Sequence, residues 1–174
     1  MIMTSRPNIQ RITLTALLAA LIYVLTRYLQ IPIPATQGYV HLGDAGITFA
    51  AFAFGPWVAL LSGGLGTALA DLGSGYAQWA LFSLVVHGAQ GGAMGWLTRK
   101  KITAPSAILS IIAGVVIVVG GYFLAGILLV GVAKAVTEIL PNALQAVSGG
   151  IIGAPLYFAV LRAYPLLARY KTQE

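Results

Sequence analysis

The sequence contains no cysteine, which removes disulfides, thiolate metal centres and thiol catalysis from consideration. Charge is nearly as scarce: 8% of the 174 residues are charged, and only four are Asp or Glu. Soluble domains carry about 25% charged residues. There are two histidines, His41 and His87, and they are not the pair one helical turn apart that marks many zinc sites. A ligand set of His41, Asp44, Asp71 and His87 lacks any diagnostic spacing, and no metal or other cofactor is expected. The glycines at 63, 64 and 66 lie in an apolar run without the Lys-Ser/Thr of a phosphate-binding loop, so the chain carries no nucleotide-hydrolysis motif. No nucleophile–base pair with an orienting acid stands out, and the chain is not expected to be an enzyme.

What is abundant is apolar surface. The apolar fraction is 59% and the mean hydropathy is +0.89, against about 45–50% apolar in soluble domains. One core of this size could not hide that much, so lipid is the natural solvent. At about 20 residues per crossing there is room for about six helices and little else. The expected fold is an all-α integral membrane protein, a single domain over 1–174 built as a six-transmembrane-helix bundle in the cell membrane. Spans are expected at about 9–29, 42–54, 57–71, 76–97, 105–130 and 132–164. The last begins near Val132 or at Pro141, which either opens the helix or kinks a longer one. Ile31-Pro32-Ile33-Pro34 stops the first helix, and a loop through Thr36, Gln37 and Gly38 follows. Further spans follow the first apolar run, which therefore reads as a crossing rather than a cleaved signal.

The net charge of +6 and a pI near 9.8 would suggest nucleic acid in a soluble protein. Here Arg6 and Arg11, Arg99-Lys100-Lys101, and Arg162, Arg169 and Lys171 flank apolar runs, so lipid headgroups and cytoplasmic retention account for them and no nucleic-acid partner is expected. Six spans put all three clusters on one face, with both termini cytoplasmic.

Ionisable and amide groups inside apolar stretches are costly in lipid and are functional candidates. Trp79, Ser83, His87, Gln90 and Met94 recur at helical spacing on one face of the fourth span. Lys134, Glu138, Asn142, Gln145 and Gly149 do so on the last. Two such stripes facing each other would line an outward-facing pocket, with Tyr39 and His41 above it. The candidate substrate-binding residues are therefore Tyr39, His41, Trp79, Ser83, His87, Gln90, Glu138, Asn142 and Gln145. Structural readings compete with some of these. Asp44 follows Gly43 near a helix start and could cap it; Asp71 could cap a turn or pair with Lys134. Lys134 and Glu138 could pair with each other, and Trp79 could be an interfacial anchor. Gly88/Gly92, Gly91/Gly95, Gly149/Gly153 and Gly150/Ala154 are small residues four apart, which lets helix backbones approach closely. Ala16/Ala20 forms a similar face that suits a partner helix.

Gly38-Tyr39-Val40-His41-Leu42-Gly43-Asp44-Ala45, Phe54-Gly55-Pro56-Trp57 and Gly63-Gly64-Leu65-Gly66-Thr67-Ala68-Leu69-Ala70-Asp71-Leu72 resemble stretches of the S components of energy-coupling factor (ECF) vitamin transporters. Gly75-Tyr76-Ala77-Gln78-Trp79, Glu138-Ile139-Leu140-Pro141-Asn142-Ala143-Leu144-Gln145, the length and Ala16-x-x-x-Ala20 fit as well. The resemblance implies a subunit that captures a vitamin or precursor from outside. It would dock through Ala16 and Ala20 on an ECF transmembrane coupling subunit driven by two cytoplasmic ATPases, and the Pro32 to Tyr39 loop would be its lid. Leu-Gly-Asp leans, by resemblance, toward pyrimidine or pyridine compounds such as hydroxymethylpyrimidine and vitamin B6, with riboflavin and pantothenate open. An intramembrane enzyme using Asp44, Asp71 and His87, and a structural scaffold, are the competing readings.

Overall fold

The computed structural model describes residues 6–33 and 38–171, with side chains over 9–33 and 38–170. Helix α1 (Arg6–Tyr28) leads into strands β1 (Gln30–Ile33) and β2 (Gly38–His41), followed by α2 (Gly43–Phe54), α3 (Pro56–Ser74), α4 (Ala80–Thr98), α5 (Ala104–Val130) and α6 (Val132–Ala163). A 3-10 turn over Pro165–Leu167 and a short α7 (Ala168–Lys171) end the described chain. The helices form a ring in the order α1, α3, α4, α5, α6, α2, with α2 also packed on α3 and α4. That central position explains why nearly every side chain of α2 is buried.

Around the ring, large apolar side chains face outward: Leu17 and Leu21 on α1, Ile112, Val116 and Leu128 on α5, and Leu144 and Ile151 on α6 are all exposed. A continuous apolar exterior suits lipid, not water. Among the described residues, three helices are long and apolar enough to cross a membrane: Ile9–Tyr28, Ala104–Val130 and Val132–Ala163. Helix α2 has 12 residues, about 18 Å of rise, which is short for a crossing. The chain is an all-α membrane protein.

Three junctions follow from local chemistry. Thr103 and Ser106 exchange side-chain and backbone hydrogen bonds in a reciprocal box ahead of α5. Gly55 and Gly131 join α2 to α3 and α5 to α6 with φ of 83° and 88°, a conformation that other residues reach only with strain. Pro141 does not open the last helix: α6 runs unbroken from Val132 with Pro141 and Pro155 inside it. Each proline forgoes one backbone bond, which lateral packing in a bundle tolerates.

The segment expected to be a loop after α1 is instead an antiparallel hairpin, pairing Gln30 with His41 and Pro32 with Tyr39. Ile31, Ile33, Tyr39 and Val40 are strand-favouring types, and a two-stranded sheet consists only of edges, where a proline can sit. Thr36 and Gln37 lie outside the described residues. The expected glycine contacts are present. A Cβ on Gly91 would stand 2.5 Å from the Ala59 carbonyl oxygen, and one on Gly95 would stand 2.6 Å from Pro56. Gly149 lies against Asp44, and Gly150 meets Ile111. These close approaches bring α4 against α3, and α6 against α2 and α5.

Candidate functional site

A cavity of about 30 Å³ lies beneath the hairpin, lined by Ile33, Gly38, Tyr39, His41, Asp71, Trp79, Ser83, Tyr122, Glu138, Pro141, Asn142 and Gln145. That is room for no more than a few waters, so the side chains around it stand close together. Strand periodicity accounts for its roof: Tyr39 and His41 are two apart on β2 and share a face, their rings 5.6 Å apart. The wall from α4 is the expected stripe, with Trp79 just ahead of the helix and Ser83, His87, Gln90 and Met94 buried along it. The wall from α6 carries Glu138, Asn142 and Gln145, also buried, while Lys134 is exposed one turn earlier.

Seven of the nine expected residues therefore border the cavity: Tyr39, His41, Trp79, Ser83, Glu138, Asn142 and Gln145. The other two, His87 and Gln90, are fully or almost fully buried behind it. His87 packs against the rings of His41 at 5.3 Å and Tyr122 at 5.5 Å. Five lining residues were not among the expected nine, Ile33, Gly38, Asp71, Tyr122 and Pro141, and two of them carry polar side chains. Asp71 accepts a 2.6 Å hydrogen bond from the Tyr39 hydroxyl, which assigns the carboxylate to the roof rather than to a turn cap or to Lys134. Tyr122 stands 2.5 Å from the Ser83 hydroxyl and 6.0 Å from the Trp79 ring. Its only signal in the sequence is a phenol inside an otherwise apolar 27-residue helix.

Asp44 does not cap α2. Its Oδ2 accepts from Gln90 Nε2 at 3.0 Å and its Oδ1 from Gln145 Nε2 at 3.4 Å. Gln145 Oε1 in turn accepts the backbone N–H of His41 at 2.9 Å, tying the hairpin to α6 and α2.

Ligand atoms of His41, Asp44 and His87 lie within 4.8 Å of one another. Two of the three are engaged, however: His41 Nδ1 accepts the Gly43 N–H at 3.1 Å, and the Asp44 oxygens hold the two glutamines. A cation there would have to break those bonds. Burial, and after it the Asp71 carboxylate, push the Tyr39 hydroxyl pKa upward, so Tyr39 remains a donor. Burial, and after it His87, hold His41 well below its ordinary value, so it is neutral. Among the described residues, two buried polar atoms of cavity-lining residues have no hydrogen-bond partner, the Trp79 Nε1 donor and the second oxygen of Asp71.

Residues 6–162 match the family model described as ECF-type riboflavin transporter, S component. The chain belongs to that family. This S component is a transporter subunit, not an enzyme. It is 37% identical over 150 residues, covering 86% of both chains, to the thiamine precursor transporter HmpT of Lactococcus lactis subsp. cremoris. It is 41% identical over 145 residues, covering 83% of this chain and 97% of the relative, to an uncharacterized protein of Pyrococcus woesei from the gap 3' region.

Proposed function

We propose that this S component captures a single-ring pyrimidine or pyridine vitamin precursor, of the hydroxymethylpyrimidine or vitamin B6 kind, in the pocket under the hairpin. The observation that carries this reading is that two lining residues each keep a buried polar atom without a hydrogen-bond partner among the described residues, the Trp79 Nε1 donor and the second Asp71 oxygen. An aminopyrimidine presents the complementary pair on one edge: a ring nitrogen that accepts and an amino group that donates. Tyr39, Trp79 and Tyr122 supply aromatic faces for stacking. Among the described residues, the lining includes Asp71 and Glu138 but no Lys or Arg. That composition works against the carboxylate of pantothenate. Riboflavin, after which the matching family is named, is the second reading. Its three fused rings would require a larger displacement of the roof than a single ring.

The proposal includes six crossings with both termini cytoplasmic in a prokaryotic cell membrane, and delivery inward through an ECF coupling subunit and its two ATPases. The exposure of Ala16 and Ala20 on α1 supports their use as the docking face.

Native mass spectrometry of the detergent-purified protein, with thermal shifts against hydroxymethylpyrimidine, pyridoxine, riboflavin and pantothenate, tests the substrate. A bound single-ring heteroaromatic, or a shift confined to that class, is expected. A shift with riboflavin alone would replace the reading, and no shift with any of the four would overturn it.

A further inference from the structure

The polar groups beneath the cavity form one directed chain. Asp44 is wholly buried, and the amide nitrogens of Gln90 and Gln145 both point at it. An amide that turns its nitrogen to a carboxylate must turn its oxygen the other way. Gln90 Oε1 therefore faces His87 Nδ1, 2.8 Å away, and an oxygen there requires the proton on Nδ1. The same nitrogen lies 3.4 Å from Asp44 Oδ1, a second acceptor favouring the same tautomer. His87 Nε2 is left as a bare lone pair, fully buried and without a partner. The ring carrying it is packed against His41 and Tyr122, whose side chains line the cavity. His41 holds the opposite tautomer, because its Nδ1 accepts the Gly43 N–H and its proton sits on Nε2.

We propose that Asp44 is a positioning residue that, through Gln90, holds His87 as a hydrogen-bond acceptor behind the cavity, next to the lining residues His41 and Tyr122, so that a ligand that displaces those rings must bring a hydroxyl or N–H donor to it. A buried acceptor without a partner is unfavourable, and a ligand donor relieves it. Selectivity for a donor-bearing substituent then originates in a carboxylate that need not touch the ligand. Only this last consequence rests on the substrate reading above.

Nitrogen NMR of the full-length protein with isotope-labelled histidine tests the tautomers directly, since the chain has only two histidines. The wild type is expected to show one histidine of each neutral tautomer, and a His41→Gln variant to retain the Nδ1–H form. Two Nε2–H histidines in the wild type, or an Nε2–H His87 in the variant, would overturn the proposal. In Asp44→Asn the new amide nitrogen competes for the acceptor face of Gln90, so Gln90 turns and His87 moves to the Nε2–H form. An unchanged spectrum would overturn the role of Asp44. Gln90→Met removes the relay with Asp44 in place and serves as a second variant should the first not fold. There His87 is expected to populate both tautomers, and retention of Nδ1–H alone would count against the relay. Binding of hydroxymethylpyrimidine is expected to be about tenfold tighter than that of its analogue with a methyl group at the same position, about 1.4 kcal/mol. Equal affinities would overturn the donor requirement. If neither pyrimidine binds, the substrate reading fails while the spectra still decide the positioning role.

Discussion

The hydroxyl of Tyr39 donates a 2.6 Å hydrogen bond to Oδ1 of Asp71, joining the hairpin to α3 across 32 residues of sequence. It is the roof's side-chain bond to a carboxylate, and it occupies one of the two acceptor atoms of Asp71.

Replacing Tyr39 with Phe removes that donor and leaves a buried carboxylate short of a partner, at a cost of about 1–3 kcal/mol. The ligand-free variant is expected to melt lower than the wild type in detergent, with a larger thermal shift on adding hydroxymethylpyrimidine. Asp71→Asn is expected to weaken binding at least tenfold. An unaltered ligand shift in both variants would remove Asp71 from the site.

His41 gives a pH dependence with a definite sign. Its folded pKa lies well below the ordinary 6.5 because of burial and the neighbouring His87, so the unfolded chain takes up a proton where the folded protein does not. Stability is complete above about pH 6.5 and falls as the pH drops below it, by up to about 1.4 kcal/mol per unit until the folded value is reached. Melting curves between pH 8 and pH 5 should show this decline. His41→Gln should flatten it, and a wild-type curve without slope below about pH 6.5 would contradict the assignment.

Glycine substitutions should separate packing from propensity. Gly91→Ala drives a methyl group against the Ala59 carbonyl, 2.5 Å away, and is expected to cost about 1–3 kcal/mol. Gly120→Ala in α5 meets nothing within 4 Å and is expected to be neutral or stabilising by up to about 1 kcal/mol. Paired thermal melts decide the matter, and equal melting of the two variants would argue against the close α3–α4 approach.

Ala16 and Ala20 are exposed on α1, away from the pocket. Leucine at both positions is expected to leave ligand binding in detergent intact and to reduce cellular uptake severalfold by blocking the coupling subunit. Normal uptake by the double variant would move the docking face elsewhere.

Much was legible in the chain itself, because lipid imposes a simple rule on sequence. Apolar runs of bilayer length identified the long helices, and polar residues that broke the pattern at helical spacing identified two walls of the pocket before any coordinates were known. Tyr39 and His41 were expected above those stripes and do line the cavity, although the hairpin that orients them was not legible: the prolines read as breakers, and strand pairing depends on a partner segment. Tertiary structure alone decided the rest. Asp44 followed a glycine at a helix start, which describes a cap, yet its partners Gln90 and Gln145 lie 46 and 101 residues away. Asp71 needed Tyr39, and Tyr122 needed Ser83. Helical periodicity says which residues share a face, and burial in lipid says that a polar group must find a partner. Which partner it finds depends on the order of helices around the ring, set by where glycines let backbones touch.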